Sequence, residues 1–155
     1  MHKQSIRRFQ QGAQAGFTLI ELVVVIVILG ILAATAIPRF VDMATQARVA
    51  KLNAARGALQ AGSALAHAQW IANGAPTTAP VTITMEGQPV AMTNGYPSEA
   101  GIVVATTLTD YNVTTAGTVV TVAEAAGRAN CQLTYTASTA ANTPPVISAP
   151  VTTGC

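Results

Sequence analysis

Gly16-Phe17-Thr18-Leu19-Ile20-Glu21-Leu22 opens a run of apolar side chains that continues to Ile37, and within that run the one ionisable group is Glu21. At about 1.5 Å of rise per residue, a helix of these ~21 residues is roughly 30 Å long, the thickness of a bilayer's hydrocarbon core. Apolar residues fall on every face. Such a helix belongs in lipid or at the centre of an assembly, not on the surface of a soluble domain. A carboxylate is costly there, which makes Glu21 a functional candidate by default. A second reading stays open, in which Glu21 sits close enough to the end of the span to snorkel to the interface.

Upstream, residues 1–16 carry Lys3, Arg7 and Arg8 and no acid. Such a segment stays cytoplasmic, leaving the rest of the chain beyond the inner membrane. The competing reading is an ordinary secretory signal. Ala34-Thr35-Ala36 follows the apolar run, has the small-residue form of a signal-peptidase site, and would start the mature chain at Ile37. Ala13-Gln14-Ala15 has the same form but lies on the wrong side of the run. Glu21 inside the run, and the helical pattern continuing beyond it, argue against the ordinary signal.

Lys3, Arg7 and Arg8, the Gly16–Phe17 junction, Thr18-Leu19-Ile20-Glu21 and the long apolar helix together resemble a type IV pilin precursor with a class III signal. Within that family, Gly95-Tyr96-Pro97 and the final Thr153-Gly154-Cys155 are similar to mannose-sensitive haemagglutinin (MSHA) type pilins. The resemblance implies that a membrane-embedded prepilin peptidase cleaves between Gly16 and Phe17 and methylates the new Phe17 amine. It implies that Glu21 of an incoming subunit pairs with the Phe17 amine of a subunit already in the filament. An unpaired buried charge is very costly, so a partner that relieves it selects one axial register. It implies further that the helix between Gly30 and Pro38 can open on assembly. Pro38 lacks an N–H and its ring pushes on the preceding turn, so a kink or a locally opened ladder is expected.

Four segments follow: a cleaved leader (1–16), a transmembrane and filament-core helix (17–38), an amphipathic helix (39–73) and a strand-rich head (74–155). The fold class is α+β, a long helix packed on a small antiparallel sheet. Val49, Leu52, Ala55, Leu59, Gly62, Ala66 and Trp70 recur at three- and four-residue steps, marking the face that packs on the head. Asn73-Gly74, with Pro76 beyond, is the stop signal. Strands are expected over 81–85, 89–93, 118–122, 132–136 and 146–149, a turn at 95–97, and a short helix over 99–108 capped by Ser98. Residues 107–117 and 137–150 read as exposed loops, the places where adhesion would lie.

Charged residues make up only 9% of the chain, as in a subunit that buries much of its surface in an assembly. Without residues 1–16, five bases stand against six acids, a net charge of −1. Residues 39–56 carry four bases and one acid, and residues 57–155 carry one base and four acids. A basic stem and an acidic head attract between neighbours, although exposed pairs are worth little each. No basic patch on the head suggests a nucleic-acid partner.

Cys131 and Cys155 enclose a loop of about 25 residues, and an even, small count in an exported chain reads as a disulfide. Two free thiols would be the reading for a cytosolic protein. No metal, cofactor or catalytic constellation is expected. Glu86, Glu99, Asp110 and Glu124 are scattered, no phosphate loop or nucleophile–base pattern occurs, and His67 has no obvious partner in the sequence. Asn112-Val113-Thr114 matches the acceptor pattern for asparagine glycosylation, which matters only where the host modifies it.

The functional expectation is a non-enzymatic pilin that polymerises with copies of itself into a helical surface filament for adhesion, with possible motility. Its partners would be the prepilin peptidase, the pilus assembly machinery and the inner membrane of a Gram-negative-type cell before export. The alternatives are a pseudopilin of a type II secretion system and a single-pass membrane protein whose head binds a ligand without polymerising.

Overall fold

A computed structural model describes residues 16–79, 81–141 and 143–155. Lys3, Arg7 and Arg8 lie outside the described residues. The chain divides into two compact units, Met1–Val41 and Asp42–Cys155.

In the first unit, the helix α1 (Leu19–Ala72) begins directly after Thr18 and is assigned as helix through both Gly30 and Pro38. Among the described residues of this unit, large apolar side chains from Phe17, 93% exposed, to Ile37, 61% exposed, stand free of packing partners. A monomer in water does not tolerate an apolar surface of this extent. The hydroxyl of Thr35 donates to the Leu32 carbonyl at 3.1 Å, a local side-chain bond within the helix.

In the second unit, α1 buries Leu52, Ala55, Leu59 and Ala66, four of the positions its three- and four-residue periodicity selects. It ends where the amides of Gly74 and Ala75 return to the carbonyls of Ile71 and Trp70, both at 3.0 Å. That pair of bonds satisfies carbonyls which the last turn of any helix leaves open.

The head holds two antiparallel sheets where the sequence suggested one. The first is β1 (Val81–Met85), β2 (Gln88–Thr93) and β3 (Tyr96–Pro97), in that order. Asn94 and Gly95, with φ of 54° and 85°, form the turn. They return the chain so that Met92 faces Pro97 and Thr93 faces Tyr96. Asn-Gly is the dipeptide that such a two-residue hairpin favours. The turn therefore lies one residue before the expected one, and Tyr96-Pro97 is strand. The helix α2 (Glu99–Ala105) follows, with the Ser98 hydroxyl accepting from the Gly101 amide at 3.1 Å. It stops short of the expected residue 108 because Thr106 turns extended and Leu108 enters the core. A Cβ on Gly101 would lie 2.0 Å from the Ala91 carbonyl, so only glycine lets α2 sit this close to β2.

The second sheet runs β4 (Asn112–Ala116), β5 (Val119–Ala123), β6 (Gln132–Thr136) and β7 (Val146–Ile147) in order. β4 occupies residues 112–116 of the expected 107–117 loop. β7 ends early, at Ile147, because the Ser148 hydroxyl takes the Thr134 amide at 2.9 Å. Leu52, Ala55 and Leu59 pack with Ile102, Val120, Val122, Leu133 and Tyr135 in the larger core. Ala66 packs with Ile83, Val90 and Met92 in the smaller one. One helix face thus serves both sheets in succession.

Candidate functional site

Thr18 and Glu21 form a closed reciprocal pair at the start of α1. The Thr18 hydroxyl accepts from the Glu21 amide at 3.3 Å and donates to Glu21 Oε2 at 2.7 Å. The same Oε2 accepts from the Thr18 amide at 2.8 Å. This is a capping box, in which a Thr and a Glu three residues later satisfy orphan donors of the first turn. Sequence reasoning treated Glu21 as a lone charge, although the Thr-x-x-Glu spacing was legible. The pair places the carboxylate on the N–H of the Phe17–Thr18 peptide, one residue from the Phe17 nitrogen. Gly16 and Phe17 are exposed immediately before the helix, and among the described residues nothing lies within 4 Å of a Cβ built on Gly16.

The other half of the expected constellation lies in the head. Cys131 and Cys155 are joined in a disulfide with their Cα atoms 4.9 Å apart. Arg48 Nη1 of α1 approaches the Cys155 carbonyl oxygen at 2.6 Å. Lys51 Nζ donates to the Glu124 backbone carbonyl at 3.2 Å and lies 3.5 Å from its carboxylate. Arg128 Nε lies 3.3 Å from the other oxygen of Glu124 but at an angle that makes no hydrogen bond, so that contact is Coulombic. Tyr111 donates its hydroxyl to the Lys51 carbonyl at 2.8 Å, and Lys51 Nζ sits 5.1 Å from the ring centre. Burial, then the Asp110 charge, pushes the Tyr111 phenol up. Charges that the composition assigned to attraction between neighbours are thus spent partly inside one head, tying the β5–β6 loop and the disulfide to α1.

His67 does have partners. Its Nδ1 lies 2.7 Å from the Gly95 carbonyl, which makes that nitrogen the donor. Its ring stacks on Tyr96 at 4.2 Å and on Trp70 at 5.6 Å. This is a packing role, and no substrate-facing group stands beside it among the described residues.

Residues 12–37 match the family model described as the prokaryotic N-terminal methylation motif. Over 72 residues the chain is 50% identical to the type IV narrow pilus major component PilA5 of Thermus thermophilus, covering 46% of this chain and 60% of that protein. The chain is a type IV pilin homologue. It is also 55% identical over 40 residues to the type II secretion system core protein G of Pseudomonas aeruginosa, and to the same degree and length to a fimbrial protein of Moraxella nonliquefaciens. The matched stretches span 60% of the length of the Thermus pilin but only 28% and 26% of the other two. No solved structure matches the chain. The pilin likeness is therefore carried by part of the chain, and the α+β layout of long helix and antiparallel sheets agrees with it.

Proposed function

We propose that this chain is the structural subunit of a type IV pilus and has no enzymatic role. As a precursor it spans the inner membrane, with residues 1–16 in the cytoplasm and residues 74–155 beyond the membrane. Prepilin peptidase cleaves between Gly16 and Phe17 and methylates the Phe17 amine. Residues 17–38 then pack at the centre of a helical filament, and the heads face solvent for attachment. Head-to-tail contacts that do not close generate such a fibre. The observation that carries this reading is a carboxylate held at the very start of a helix whose apolar side chains are exposed on every face.

Two further features support it. The exposed side of α1 within the second unit carries Ala47, Ala50, Ala54, Gly57, Ala61 and Ala64, spaced by three and four residues. Small residues at that spacing let helix backbones approach closely. Cleavage after Gly16 would also leave a positive amine on the residue next to Thr18, within reach of the same carboxylate or that of a neighbour. The Gly30–Pro38 stretch, helical here, is the proposed point of opening on assembly. Within the pilins, Gly95-Tyr96-Pro97 and Thr153-Gly154-Cys155 support an MSHA-type subunit on a Gram-negative-type cell. The type II match favours a periplasmic pseudopilin as the second reading, against which stands the longer match to a pilus component.

The test is the intact mass and amino-terminal sequence of protein sheared from the cell surface. A start at methylated Phe17 with one disulfide is expected. A start at Ile37 would remove the basis for assembly through Glu21. In cells that also express the wild type, Glu21→Ala should be cleaved yet excluded from filaments. Normal incorporation would refute its register role.

A further inference from the structure

We infer that Asn112 is an acceptor for asparagine-linked glycosylation on the exported head. Of six asparagines, only this one is followed two residues later by a Ser or Thr, with Val113 between them. A sequence match alone is common; the structure supplies what the reaction needs. Strand alternation sends Tyr111 and Val113 against the core and leaves Asn112 and Thr114 exposed on the opposite face. The carboxamide and the hydroxyl that an acceptor must present together therefore stand side by side. Among the described residues, no side-chain hydrogen bond engages the Asn112 carboxamide.

The surroundings leave room for a sugar. Among the described residues β4 pairs only with β5, which leaves its other edge open to an approaching enzyme. Asn112 faces Ala123 across the sheet, and Thr114 faces Thr121. A shallow depression of about 260 Å³ includes the pair and is lined further by Ala123, Ala125, Gly127, Arg128 and Gln132. Its lining mixes small side chains with the hydrogen-bonding groups of Gln132 and Arg128, which leaves space and polar partners for a first pyranose ring. Asp110, exposed two residues before the acceptor, adds a negative charge that a cationic subsite on the transferase can engage. The disulfide places the head in an oxidising, exported compartment, where lipid-linked sugars are transferred.

The donor is an oligosaccharide joined through a diphosphate to a lipid. The bond from Asn112 Nδ2 to the sugar's anomeric carbon forms as the bond from that carbon to the diphosphate oxygen breaks. One amide proton is lost, the lipid diphosphate leaves, and no atom changes oxidation state. The product would also cover the uncharged β4 edge, which is otherwise open to pairing with another strand.

The experiment is peptide mapping by mass spectrometry of protein purified from its native cells, with intact masses of three variants. The peptide containing Asn112 should carry the mass of one or more sugar residues. Asn112→Gln and Thr114→Val should return the intact mass to that of the polypeptide, while Thr114→Ser keeps the increment. An unmodified Asn112 peptide in the native protein overturns the assignment, as does an increment that survives Asn112→Gln. Because the map reads wild-type protein, a variant that fails to fold leaves the test intact. Because it reads one peptide, it is independent of where the amino terminus is cut and of polymerisation.

Discussion

Tyr135 connects the two sheets of the head, and removing its hydroxyl gives a prediction with two signs. The residue lies on β6 with no solvent exposure and donates to the Pro97 carbonyl on β3 at 2.6 Å. Tyr135→Phe keeps the ring and strands a buried carbonyl, which costs about 1–2 kcal/mol. For a unit of this size the melting temperature should fall by about 4 °C per kcal/mol, or roughly 4–8 °C near neutral pH. Burial, aided by the Glu99 charge and partly offset by a Ser63 hydrogen bond, pushes the Tyr135 phenol up to about 12. The folded value lies above the ordinary value of about 10, so the contribution to stability is complete below pH ~10. It is lost as the pH climbs towards about 12, a span corresponding to about 3 kcal/mol. The phenylalanine variant lacks this liability. Thermal melts of the full chain in detergent, followed by circular dichroism from pH 7 to pH 12, should show the wild-type advantage shrink above pH ~10, vanish near pH ~11 and reverse towards pH ~12. Tyr111 titrates in both proteins and cancels. A gap in melting temperature that stays constant to pH 12 would refute the argument that Tyr135 is buried and un-ionised in the folded head.

Two other predictions concern the ends of the chain. Thr18→Ser should assemble as the wild type does, because it keeps the hydroxyl that both accepts from the Glu21 amide and donates to its carboxylate. Thr18→Val should be cleaved normally yet be depleted in the sheared fraction relative to the membrane fraction on immunoblots, and equal partition would sink a role for the cap. Reduction of the Cys131–Cys155 bridge releases a loop with a sequence separation of 24 residues. By chain entropy the loss is about 3–4 kcal/mol, so the melting temperature should drop by at least 10 °C with a thiol reductant. An unchanged melt, once mass spectrometry has confirmed reduction, would count against that estimate.

Most of α1 was legible because its signals are local. Leu52, Ala55, Leu59 and Ala66 repeat at helical steps, and Asn73-Gly74 marks the stop. Ser98 announced α2 for the same reason. β4 was not legible, because Asn112, Thr114, Thr115 and Ala116 lie exposed at a sheet edge and lack the apolar alternation by which a strand is recognised. Its partners β5, β6 and β7 were expected as strands, but without β4 they were grouped with the strands of the first sheet into one. The contacts from Arg48 to Cys155 and from Lys51 to Glu124 join residues 107 and 73 positions apart, beyond any periodicity. The capping box is the opposite case. Thr18 and Glu21 are three residues apart, but the expectation that Glu21 acts between subunits drew attention away from its nearest partner.

The stack of Trp70, His67 and Tyr96 joins the end of α1 to the first sheet. Trp70 is the sole tryptophan of the chain and also donates its indole N–H to the Pro76 carbonyl at 2.9 Å. Its emission therefore comes from one fluorophore at one mechanical junction. In the filament proposed above, tension would load each subunit through its stem, and separation of the helix end from the sheet would expose the half-buried indole further to water and shift its emission to the red. Trp70 would then serve as a built-in strain gauge, readable without a dye or a mutation.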